Sequence, residues 1–83
     1  MENNFDPKSV DLALVRGVLE KQCGAFVEGE VVGRTRLRDE VARHLFCSVL
    51  DAERIVDTMI NRGFLRKITR DNGQTGWSTS QPR

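Results

Sequence analysis

Ile55-Val56-Asp57-Thr58-Met59-Ile60-Asn61-Arg62-Gly63-Phe64-Leu65-Arg66-Lys67 is the stretch on which the fold turns, because one periodicity ends inside it and another begins. Together with Ala52, the apolar residues Ile55, Val56, Met59 and Ile60 fall at i, i+3, i+4, i+7 and i+8, the pattern of a helix that buries one face. Gly63 stops that helix. Phe64-Leu65-Arg66-Lys67-Ile68-Thr69 then has strand composition. Arg70-Asp71-Asn72-Gly73-Gln74 carries the Asn-Gly pair that tight hairpins favour, and Thr75 to Thr79 returns as a partner strand containing Trp77.

Working back toward the N-terminus, Ser48 is followed three residues later by Asp51, the reciprocal capping arrangement that opens this third helix. Before it, Leu37, Val41 and Leu45 recur every four residues, with Arg36, Arg38, Asp39, Arg43 and His44 outside; a second helix is predicted, capped by Thr35 and ending near Phe46. Ala25 to Gly33 is β-branched and punctuated by glycine, which predicts a loop with one short strand at Val31 and Val32. Asp6-Pro7 is a helix-start signal that places the first helix from about Pro7, and Gly24 supplies its left-handed cap. Val10, Leu14 and Val18 share one stripe of that helix, and Leu12, Val15, Leu19 and Cys23 share the next. An apolar face that broad is either buried on two sides or used by a second chain, with Leu12, Val15 and Leu19 as the candidate partner interface. The predicted organisation is a flexible N-terminus over residues 1–6, one domain over 7–79 and a flexible tail over 80–83.

A chain of 83 residues has room for one core only. Its 39% hydrophobic and 30% charged content is that of a globular protein, and no run approaches the roughly 18 apolar residues of a membrane helix. Met1 to Asp6 contains no basic patch followed by an apolar run, so a cytoplasmic location is expected, with Cys23 and Cys47 as reduced buried thiols. The formal net charge of +1 is small for a nucleic-acid binder. Its distribution is uneven: residues 1–33 carry three basic and six acidic side chains, residues 34–83 ten basic and six acidic. The second half is therefore the one suited to an anionic partner.

Helix, short strand, helix, tight turn, helix, hairpin is the element order of the winged helix-turn-helix superfamily, which the chain resembles over nearly its whole length. The quoted stretch is similar to the passage where such domains leave the third helix through an Arg-Gly-Phe/Leu-Leu step into the wing. The resemblance implies an α+β fold, a three-helix bundle with a short strand and a C-terminal β-hairpin wing. In members that bind DNA the third helix enters the major groove, the second crosses the phosphates and the wing contacts the backbone or the minor groove. Carried onto this sequence, Arg54, Thr58 and Asn61 lie on the outer face of the third helix, where Arg can read guanine and Asn adenine. Arg36 and Arg38 on the second helix, and Arg66, Lys67, Arg70 and Asn72 on the wing, would contact the backbone. Asp51, Glu53 and Asp57 depart from a strongly basic recognition helix and repel phosphates. Arg36 and Arg38 can instead pair with Glu40 or Asp39, and Lys67 can blunt a sheet edge.

The expected function is a small DNA-binding transcriptional regulator; the alternative is a protein-interaction module that binds no DNA. A palindromic site would require a homodimer, for which the first helix is the natural place. Duplex DNA is the expected partner, with self-association or a protein partner through the first helix, and no membrane. His44, Cys47 and Cys23 lack a paired Cys-x-x-Cys motif and a fourth ligand, so no metal or other cofactor is expected. Gly29 and Gly33 lack the lysine and hydroxyl of a phosphate-cradling loop and are read as chain turns. No enzymatic activity is expected, and Trp77 is read as a core-edge residue.

Overall fold

A computed structural model describes residues 10–80. In chain order they form α1 (Leu12–Cys23), β1 (Phe26–Glu28), α2 (Val31–Leu45), α3 (Val49–Asn61), β2 (Arg66–Thr69) and β3 (Thr75–Ser78). The class is α+β, three helices against a three-stranded antiparallel sheet of order β1-β3-β2. None of the described helices is long and apolar enough to cross a membrane.

The third helix follows its periodicity. Ala52, Ile55, Val56 and Met59 are fully buried, and they meet Leu37 and Val41 of α2, Leu12, Val15 and Leu19 of α1, and Val27, Leu65 and Trp77. The Ser48 hydroxyl accepts from the Asp51 amide at 3.1 Å, which is the half of the expected reciprocal cap that forms among the described residues. Ser48→Ala is expected to cost about 1 kcal/mol, read as a lower urea midpoint at unchanged slope. Gly63, at φ 84°, turns the chain out of α3, and the amides of Phe64 and Leu65 both donate to the Met59 carbonyl.

The hairpin also forms where expected, although β2 begins at Arg66 and β3 ends at Ser78. Its turn is closed by the Gly73 amide on the Arg70 carbonyl and by the Arg70 amide on the Gln74 carbonyl, with Gly73 at φ 89°. Thr79, just past β3, is buried; its amide donates to Ala25 and its hydroxyl to the Gly24 carbonyl. The Arg16 guanidinium holds the Thr79 carbonyl at 2.7 Å, tying the end of the sheet to α1.

Three boundaries differ from expectation. The first helix starts at Leu12, capped by the Asp11 carboxylate on the Leu14 amide. Asp6-Pro7 lies outside the described residues, and Val10 is already non-helical. Gly24 does close α1, but at φ 89°, ψ 171°, an extended glycine-only conformation rather than the left-handed helical one. The short strand is Phe26–Glu28, not Val31-Val32, and the second helix begins at Val31, which places Thr35 in its interior and not at its cap.

The cause is tertiary. Gly29, at φ 95°, ends β1, and the Glu30 carbonyl is held by the Trp77 indole N–H at 2.8 Å. This fixes the start of α2 where a β-branched pair would otherwise favour a strand. Gly33 is then a packing residue, not a turn: a Cβ there would lie 3.0 Å from the carbonyl oxygens of Val27 and Glu28 and 3.1 Å from the Trp77 ring. Val31 and Val32 are 74% and 75% exposed, so neither fills a sheet face.

Candidate nucleic-acid interface

The outer stripe of α3 runs Leu50, Arg54, Asp57, Asn61, spaced so that all four face solvent. Thr58 sits at the side of this stripe, half-buried, and its hydroxyl donates to the Arg54 carbonyl one turn back at 2.8 Å. That bond occupies the hydroxyl with the helix's own backbone. Arg54 and Asn61 are exposed, and Arg62, at the C-cap, is exposed beside them.

Two of the three acids of α3, Glu53 and Asp57, have partners in α2. Arg34 bridges to Asp57 and, at 3.2 Å, to Glu53. Arg38 reaches Glu53 at 3.5 Å and Asp39 at 2.9 Å. The hydrogen bond donated to Asp57 in the first case, and to Asp39 in the second, holds these guanidiniums still more firmly protonated, against the opposing effect of desolvation. Two carboxylates on the third helix are thereby largely neutralised, and two arginines of the second helix are committed to them. Arg43 pairs with Glu40 on the same helix.

Of the residues expected to contact DNA, Arg36, Arg54, Asn61, Arg66 and Arg70 are exposed and without an ion-pair partner among the described residues. Arg70 stacks its guanidinium 4.5 Å above the Phe26 ring, which keeps its charge available while limiting its wandering. Arg38 and Lys67 are engaged instead, Lys67 with Glu30 at 3.1 Å. Asn72 is tied into the turn, where its side-chain oxygen accepts from the Gln74 amide. Arg62 was missing from the expected set; it follows Asn61 at the helix end, and that position in the sequence was its one signal.

Leu12, Val15 and Leu19 do not form a partner surface. All three are buried in the chain's own core, so the breadth of the apolar face reflects contact with neighbours on two sides. The exposed apolar side chains lie elsewhere, at Leu14, at Val31 and Val32, and at Phe46, Val49 and Leu50 around the turn between α2 and α3. Leu50 on the outer stripe of the third helix was the readable signal for the last group.

Cys23 and Cys47 are free and half-buried; burial pushes both thiols up, with Arg36 opposing it at Cys23 and Asp51 adding to it at Cys47. Neither is therefore an activated thiolate. Among the described residues no group of three or more His, Cys, Asp or Glu is placed to hold a metal. A cleft of about 270 Å³ separates the start of α1 from the end of α3, lined by Val10, Asp11, Leu12, Ala13, Thr58, Arg62 and Phe64. Trp77 is 6% exposed, in the core.

Comparison of the chain with protein-family models, with curated protein sequences and with solved structures returns no match.

Proposed function

We propose that the chain is a winged-helix domain that binds duplex DNA through the outer face of α3 and the β2-β3 hairpin. The assignment to winged helices rests on the element order α1-β1-α2-α3-β2-β3 and on a sheet in which β3 lies between β1 and β2. The observation that carries DNA binding is the set Arg54, Asn61, Arg62, Arg66 and Arg70, exposed from the third helix into the hairpin and free of carboxylate partners among the described residues. Arg34 supports the same reading by covering Glu53 and Asp57, the charges that would otherwise push phosphates away. In this arrangement Arg54 and Asn61 read base edges, and the other arginines hold the backbone. Transcriptional regulation is the role that such a small reader suits.

The test is fluorescence anisotropy of labelled duplex DNA titrated with the protein at two salt concentrations. Trp77 is a poor reporter, because its ring is buried and its N–H already donates to Glu30. Binding is expected to weaken steeply with salt, with a log-log slope of about 3 for the three phosphate contacts of Arg62, Arg66 and Arg70. Removing Arg66 and Arg70 together should lower that slope by about 2 and weaken binding to all sequences alike. Absence of binding at low salt would overturn the proposal.

A second reading, a protein-docking module, is favoured by one observation. Phe46 is 89% exposed, with Val49 and Leu50 also exposed beside it, at the corner that leads into the third helix. A DNA reader would place polar groups there.

A further inference from the structure

Arg70 is held differently from the other arginines of the proposed DNA surface. Arg54, Arg62 and Arg66 make no side-chain hydrogen bond or ion pair among the described residues. Arg70 lies over the half-buried Phe26 ring, 4.5 Å from its centroid. Carboxylates are close in sequence and register: Asp71 is the next residue, and Glu28, two positions on from Phe26, shares its sheet face. Arg70 forms an ion pair with neither. The ring holds it while its charge stays unneutralised.

The ring is itself fixed by the sheet. Phe26 is opposite Ser78, and Ser78 opposite Arg66, so these three form a row on the face turned away from the helices, while Val27 and Trp77 of the next row are in the core. Gly76 is on the same outer face and is buried. It gives the ring room to lie across β3, since a Cβ at that position would come 2.8 Å from the Phe26 Cζ. The ring is therefore seated against β3 with Arg70 above it. Stacking uses the flat face of a guanidinium and leaves free the N–H groups in its plane, which are those that hold a phosphate. An arginine already ordered in this way gives up less side-chain entropy on binding than Arg54, Arg62 or Arg66.

We infer that Phe26 is a positioning residue for DNA binding: it touches no DNA, and it holds Arg70 with its N–H groups presented to a backbone phosphate. Arg70 is then the pre-ordered anchor of the hairpin, and Arg66, across the same face, is a contact that becomes ordered only on binding. The effect on affinity rests on the DNA-binding reading, whereas the stack itself is a property of the free protein and is measured without DNA.

Two measurements test it. In proton NMR of the free protein, the Arg70 side-chain methylene protons should be shifted upfield by the ring; Phe26→Tyr should keep the shift, and Phe26→Leu, which keeps an apolar side chain against Gly76, should lose it. Anisotropy with duplex DNA at one low salt concentration then completes a double-mutant cycle with Arg70→Gln. Phe26→Leu should weaken binding by about twofold to fivefold, the worth of an exposed cation–π contact, and Phe26→Tyr should bind as the parent does. In the Arg70→Gln background Phe26→Leu should have no further effect. Arg70→Lys keeps the charge without the planar fork and leaves the sheet undisturbed; it should weaken binding by a similar factor. A Phe26 with a merely structural role would weaken binding equally in both backgrounds, and that result overturns the inference. So does an Arg70 side chain with no upfield shift, or an Arg70→Lys protein that binds like the parent. A parent that shows the shift but binds no duplex overturns the DNA-binding reading, and this inference falls with it.

Discussion

Replacing Gly76 with alanine is expected to cost on the order of 3 kcal/mol or more, a large fraction of the stability of a domain of this size. Gly76 lies in β3, the central strand, opposite Glu28 on one side and Ile68 on the other. A Cβ at this position would overlap the Val27 carbonyl oxygen, press on the Phe26 ring and come within 3.0 Å of the Glu28 Cα. Two of these obstacles are backbone atoms of a paired strand, so they can yield only if β1 moves. β1 in turn carries Val27, part of the core, and leads into Gly29, whose amide donates to the Thr75 carbonyl. Relief at one point therefore disturbs the seating of the whole sheet. Gly17 provides the control: it is in the middle of α1, with nothing within 4 Å of an added Cβ. Gly17→Ala should be neutral or stabilising by up to about 1 kcal/mol through helix propensity alone. Urea unfolding followed by far-ultraviolet circular dichroism separates the two. A Gly76→Ala protein with the parent's midpoint would show that β1 does not pack against β3 in this register.

Trp77→Ala is the second large effect, expected at about 3–5 kcal/mol. The residue is opposite Val27 in β1 and Lys67 in β2, and its ring abuts Gly33 of α2. It joins sheet to helix in two ways, through buried area and through the bond to the Glu30 carbonyl. Removing it leaves a cavity beneath the first turn of α2 and frees the end of that helix. Trp77→Phe retains most of the ring volume and loses the hydrogen bond, and should cost about 1–2 kcal/mol. The parent's fluorescence should be that of a shielded indole, and it should change on unfolding but not on adding duplex DNA. Equal loss of stability in the two variants would mean that the bond to Glu30, and not the packing of the ring, dominates.

These two positions also mark where sequence reasoning stops. Gly76 carries no signal of its own in the sequence, because its neighbours Thr75 and Trp77 make an ordinary strand pattern. Its necessity comes from a strand about fifty residues earlier. Trp77 was placed at the core from its chemistry, but its role in starting α2 was not legible, since nothing near Glu30 in the sequence refers to it.

What the sequence determined by itself is local. The periodicity of the third helix, its Ser48 cap, its stop at Gly63, the hairpin around Gly73 and the end of α2 near Phe46 are all set by interactions between residues a few positions apart. Tertiary structure decided the rest. It placed the short strand at Phe26–Glu28, converted the Val31-Val32 pair from strand to helix, and buried Leu12, Val15 and Leu19 on two sides. It also assigned Arg34 and Arg38 to Glu53 and Asp57 of α3, which left Arg36, Arg54, Arg62, Arg66 and Arg70 without an ion-pair partner among the described residues. Propensity and pattern are properties of a segment, whereas burial and charge pairing depend on which segments meet. The same contacts that settled the core therefore also settled which charges face outward.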